Sequence, residues 1–183
     1  MADPRELAQD TVYVGLEHIE KGGRLAGTST VGESQVTSNK VRFTPKHVLV
    51  GKLRPNLGKI ATVDAHGIAS TDIVPILPGS KLDQRYLLHF LRQRQVIAHL
   101  ASLATGANLP RLAPKSLLTT PLPVPPVEEQ RRIAGILDHV DDLRAKRRDS
   151  IDRLDVLRRS LFNDIFDSPS TWPERWPMTT IAT

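Results

Sequence analysis

The strongest constraint on this chain is the run Pro121-Leu-Pro-Val-Pro-Pro-Val-Glu-Glu-Gln130, which leads into a long segment without proline. From about Val127 to about Asp167 only Gly135 weakens an otherwise helical pattern. Proline is excluded from helix interiors but tolerated just before or within the first turn. Glu128 and Glu129 then place negative charge at the positive end of the helix dipole. The sequence therefore predicts a rod with a sharp start, and a globular head built from what precedes it. A head on a rod suits a protein that positions something rather than one that reacts with it.

With 183 residues, the chain suffices for one domain and an appendage. The 39% hydrophobic content supports a real core. There is no cysteine, so disulfides and thiolate metal sites are excluded, which fits a reducing compartment. No signal-like or membrane-length apolar run occurs, and the expectation is a cytoplasmic protein without a membrane partner. Residues 1–126 hold 15 Lys and Arg against 9 Asp and Glu, whereas residues 127–167 hold 9 against 10. A basic head on a near-neutral rod points to a polyanion at the head, although such an excess is also an ordinary solubilising surface.

Along the rod, a heptad stripe runs through Ile133, Val140, Arg147, Leu154 and Leu161. Its companion contains Ile136 or Leu137, Leu143, Ile151, Leu157 and Ile165. Asp149–Arg153 and Asp155–Arg159 have the favourable acidic-first spacing. At about 1.5 Å per residue the helix reaches roughly 60 Å, so most of the stripe lies beyond its own head. It needs a second helix. Arg147 either sets register and oligomer state or simply snorkels to water, and Arg144–Arg148 reads mainly as a solvated charged face.

The expected fold class is α+β, a globular mixed α/β head followed by one coiled-coil-forming helix. Strands are expected at Thr11–Val14, Val48–Leu53, Lys59–Val63, Asp72–Leu77 and Leu118–Val124. One helical stretch, about Asp83 to Leu103, carries Leu87, Leu88, Leu91, Val96, Ile97 and Leu100 on its apolar face. Catalytic patterns fail. Gly51 and Gly58-Lys59 are too far apart for a phosphate loop, and Ile60 stands where a metal-binding hydroxyl belongs. No dinucleotide turn or methyltransferase Pro-Pro-aromatic motif occurs, and the six histidines show no metal-ligand pairing. No catalytic residue, metal or cofactor is assigned, and the chain is expected not to be an enzyme. What remains is polar loops: Lys52, Arg54, Asn56 and Lys59 around one turn, and Asn108 and Arg111 on Thr105–Leu112. These residue types bond phosphates and read base edges; alternatively, Arg54 and Arg111 pair with carboxylates inside the head.

Val48-Leu-Val-Gly-Lys-Leu-Arg-Pro-Asn-Leu-Gly-Lys-Ile60, Gly67-Ile-Ala-Ser-Thr-Asp72, Tyr86-Leu-Leu-His-Phe-Leu91 and Gly106-Ala-Asn-Leu-Pro-Arg-Leu112 follow in order. With the proline-rich entry into Glu128-Glu-Gln-Arg-Arg-Ile-Ala134, this pattern resembles the specificity subunit of type I restriction-modification systems, from about Tyr13 to Phe166. The resemblance implies a DNA target-recognition domain over residues 1–126 and a helix over 127–167 that pairs antiparallel with another. It implies methylase subunits on the helical region, restriction subunits as further partners, and no chemistry by the subunit itself. A full subunit has two such repeats. Here the segment 168–183, with Trp172-Pro-Glu-Arg-Trp176, looks like the opening of a second recognition domain. Either the chain is a fragment, or it is a half-subunit that forms a homodimer through Ile133, Leu137, Val140, Leu143, Arg147, Ile151, Leu154, Leu157 and Leu161, each tail completing a head. Double-stranded DNA binding is the primary reading; a coiled-coil scaffold whose basic head binds protein is the alternative.

Overall fold

In the computed structural model, residues 1–166 and Thr179 are described. The Trp172–Trp176 segment and its expected role lie outside them. The chain divides into two compact units, one spanning Met1–Gly135 and the second beginning at Ile136.

The first unit contains two sheets. Strands β1 (Val12–Val14), β2 (Ser29–Thr30), β3 (Val41–Phe43) and β6 (Gly67–Ala69) form one, in the order β2-β1-β6-β3. β1 and β6 run parallel; the outer pairs are antiparallel. Strands β4 (Val48–Gly51), β5 (Ile60–Ala61) and β7 (Ile73–Ile76) form the second, antiparallel, in the order β5-β4-β7. A short helix α1 (Val31–Ser34) follows β2, closed by a capping box in which Thr30 and Glu33 exchange side-chain and backbone bonds.

Strand β4 organises this unit because both of its faces are covered. Successive side chains of a strand point to opposite sides. Val48 and Val50 therefore join one cluster with Ile60, Leu87, Leu88, Leu91, Leu100, Leu112 and Leu117. Leu49 joins a second cluster with Val14, Ile19, Phe43, Ala69 and Ile73, between the sheets. The apolar Val48-Leu-Val50 run is what a doubly covered strand requires.

The expected single helix over 83–103 is instead two, α2 (Gln84–Leu91) and α3 (Arg94–Ser102). Gln93 between them is extended, with φ −62° and ψ 136°. Leu91 and Leu100 are both buried. They are nine residues apart, about two and a half turns at 3.6 residues per turn, so an unbroken helix would aim them in opposite directions. Burying both requires the break. Arg92 fixes it, donating to Ile60 O at 2.9 Å and Gly23 O at 2.6 Å.

The expected strand over 118–124 does not form either. Helix α4 (Pro114–Leu118) ends there, and no strand pairing follows before helix α5 (Val127–Phe166). Prolines 121, 123, 125 and 126 remove the donors a ladder needs. The segment is a strap instead, held by Tyr86, whose hydroxyl donates to Pro123 O at 3.1 Å. Leu122 packs against the first cluster.

The strap delivers the chain to Gln130, which has no exposed surface. Its Oε1 accepts from the Asp83 N–H at 2.8 Å, and its Nε2 donates to Lys81 O at 2.9 Å and Pro125 O at 2.7 Å. Asp83 in turn caps α2, accepting from the amides of Arg85 and Tyr86. One side-chain amide thus joins the strap, the start of α2 and the first turn of α5. Gln130→Leu leaves three backbone groups without partners and should cost about 2–4 kcal/mol in urea unfolding of the full chain. A loss below about 0.5 kcal/mol would contradict this account.

Candidate nucleic-acid interface

β4 ends at Gly51 and the chain returns as β5 through the turn Lys52–Lys59. Arg54 occupies the left-handed region at φ 50° and ψ 62°, unusual for a residue with a side chain. Pro55–Leu57 then form a single 3-10 turn, closed by Gly58, also left-handed at φ 58°. A Cβ on Gly58 would come within 2.7 Å of Ile97 Cδ1, a side-chain tip able to shift, so the left-handed backbone is what favours glycine there.

The second loop is seated on this turn through main chain. The Arg54 N–H donates to Pro110 O at 2.8 Å, and the Leu112 N–H to Lys52 O at 2.9 Å. Leu53 and Arg111 form an isolated β-bridge. Within the loop, Thr105 and Arg111 exchange both backbone bonds, at 2.8 and 3.1 Å, and Gly106 supplies the turn at φ 108°. A third strand end arrives from β7: the Lys52 N–H donates to Asp72 O at 2.7 Å, and Arg111 Nη2 meets Asp72 Oδ1 at 3.0 Å.

The structure therefore brings Lys52, Arg54 and Arg111 to one edge. Arg54, Asn56, Asn108 and Arg111 are exposed and Lys52 is half-buried. Arg111 pairs with a carboxylate, the alternative left open by its residue type, yet its side chain is still 56% exposed and keeps donors for a ligand. Lys59 is engaged elsewhere, its Nζ donating to Leu16 O at 2.7 Å. Asp72 is the residue here that sequence reasoning passed over. Its position in Gly67–Asp72 was visible, but its partner is 39 residues away and no local spacing reveals it.

Behind this edge, Tyr13 is buried, with His18 edge-on to its ring at 5.9 Å. Burial pushes the Tyr13 phenol up, the Glu17 carboxylate adds to the rise, and a side-chain hydrogen bond with Ser70 opposes it. The phenol stays neutral at ordinary pH. Among the described residues, no group of three His, Asp or Glu side chains could hold a metal ion, and no helix is long and apolar enough to cross a membrane.

Residues 4–153 match the family model described as the type I restriction modification DNA specificity domain. The chain belongs to this family. It is 27% identical over 162 residues to the EcoDI specificity subunit of Escherichia coli, covering 86% of this chain and 36% of that protein. It is 24% identical over 140 residues to the MjaIX specificity subunit of Methanocaldococcus jannaschii, covering 76% and 32%. Its fold is shared with the HsdS subunit from Thermoanaerobacter tengcongensis, at TM-score 0.65 and 24% identity, over 92% of this chain and 46% of that one. The chain thus spans about a third of the length of these two relatives and under half of the solved subunit.

The long helix of the α+β fold is present as α5, Val127–Phe166, its first turns in the first unit and the rest in the second. Of the expected seam, Ile133, Leu137 and Val140 are partly buried. Leu143, Ile151, Leu154, Leu157 and Leu161 are each at least half exposed, and Arg147 is exposed as well. Asp149 pairs with Arg153 at 2.8 Å as expected, whereas Asp155 takes Arg158, one turn position earlier than Arg159, at 3.2 Å.

The two left-handed residues of the Lys52–Lys59 turn should respond oppositely to substitution. Gly58→Ala should lower stability by about 1–2 kcal/mol. Arg54→Gly, which relieves a strained backbone, should leave stability unchanged or raise it by up to about 1 kcal/mol. Thermal or urea unfolding of both variants checks this; a large loss in Arg54→Gly would show that its side chain supports the fold.

Proposed function

We propose that this chain is a DNA sequence-recognition unit of a type I restriction-modification complex. The observation that carries the reading is the meeting of Lys52, Arg54 and Arg111 at one edge, on two loops fixed by main-chain bonds. Cations on a rigid seat, Arg54 and Arg111 exposed and Lys52 half-buried, suit phosphate contacts and bidentate base contacts together. Asn56 and Asn108 on the same loops add amides suited to adenine. Lys59, tied to the Leu16 carbonyl, acts from behind this surface in seating the turn. Family membership and the specificity subunits among its relatives support the same reading.

The unit acts without chemistry of its own, placing methylase subunits, and restriction subunits where they join, on a target. The exposed seam of α5 is the surface for a second such helix. In the reading proposed here, that helix comes from a second copy of this chain, antiparallel, giving a homodimer with two identical heads over a symmetric split site. Arg147 lies midway between Ile133 and Leu161, so antiparallel pairing about it sets Ile133 against the partner's Leu161 and Val140 against the partner's Leu154.

Titration of duplex DNA with the full chain at several salt concentrations tests the DNA reading. Affinity should fall linearly on logarithmic axes with rising salt, by counterion release. Arg54→Ala should weaken binding by about 1–3 kcal/mol if the side chain reads a base, or lower the salt slope by about one if it contacts phosphate. Absent or salt-independent binding would favour the coiled-coil scaffold with a protein-binding head.

A further inference from the structure

The reading above leaves the Asp72 carboxylate unexplained. A negative charge among cations weakens attraction to phosphate, and stability gives little reason for it. The Arg111 and Asp72 side chains are 56% and 29% exposed, and ion pairs this open to water contribute little to folding. Nor is the pair needed to seat the loop. Arg54–Pro110, Leu112–Lys52 and Thr105–Arg111 already do so through main chain. The Asp72 backbone is itself held independently of its carboxylate, its carbonyl accepting from Lys52 and its N–H donating to Ser70 Oγ at 3.3 Å. The side chain is thus aimed at Arg111 from a fixed turn.

We propose that Asp72 is a specificity-determining positioning residue: from 3.0 Å it biases the Arg111 guanidinium towards one orientation and offsets part of its charge towards phosphate. A guanidinium has five N–H donors in a rigid fork, and one carboxylate oxygen uses only part of them. The remaining donors stay available, in a direction set by Asp72, for a planar pair of acceptors such as the O6 and N7 edge of guanine. A phosphate, by contrast, meets a guanidinium whose charge is partly offset. Asp72 thereby lowers binding to any sequence while leaving the matching sequence its directional bonds. This inference rests on the DNA reading and assigns to that site a residue which acts by restraint.

The test uses the full chain and two duplexes: a target selected by the unaltered protein from a randomised pool, and a scrambled duplex of equal length. Asp72→Asn should bind the scrambled duplex several-fold more tightly, with a salt slope steeper by about one phosphate contact. Its preference for the selected target should fall. Asp72→Glu, which restores the charge, should recover much of that preference. Asp72→Ser serves in place of the amide variant if that variant melts early, with the same expectation. Equal slopes and an unchanged preference in a folded charge-removing variant would overturn the role of Asp72 and leave the DNA reading standing. Parallel losses on both duplexes, tracking a lower melting temperature, would reduce Asp72 to a structural residue. No binding by the unaltered chain would overturn both proposals.

Discussion

Helix α5 presents a row of apolar side chains that water does not favour. Leu143, Ile151, Leu154, Leu157, Leu161 and Ile165 are each at least half exposed, and Phe162 stacks on Phe166 with ring centroids 4.7 Å apart. Burying apolar surface stabilises by roughly 25 cal/mol per Å². Beyond Asp141 every described helical residue is exposed, so the helix gains little from packing of its own. Its short-range ion pairs contribute only tenths of a kcal/mol each. Exposed apolar surface of this extent is the physical ground for the pairing proposed above.

The head is organised differently. Its interior is satisfied by β4, covered on both faces, and by the Gln130 amide, whose oxygen and nitrogen are both bonded where strap, α2 and α5 meet. With the core closed, the edge beyond β4 is free to carry charge and backbone strain. The left-handed Arg54 fits that division: a glycine would be easier to place there, and the arginine is exposed.

Much of this architecture was legible in the residues. A strand within the expected 48–53 and the start of α5 after Pro126 follow from apolar period and proline placement. The errors arose where tertiary demands overrode local pattern. A single helix over 83–103 satisfies periodicity, but only a broken one buries both Leu91 and Leu100. The segment 118–124 alternates like a strand, but its prolines cannot donate to a ladder. At the site, the polar loops were visible as residue types. The Arg54–Pro110 seat and the Arg111–Asp72 pair join residues far apart in sequence, and no spacing rule reports them. Gln130 stood in a recognisable motif, yet its burial and three partners required the fold.

The proposed pairing joins α5 to the same helix of a second copy. Its most direct test is the absolute mass of the purified full chain, by light scattering on a sizing column. Twice the 20.3 kDa chain mass is expected, falling towards a monomer when Leu154 and Leu157 are replaced together by lysine. A monomer of the unaltered chain at working concentrations would contradict pairing between copies.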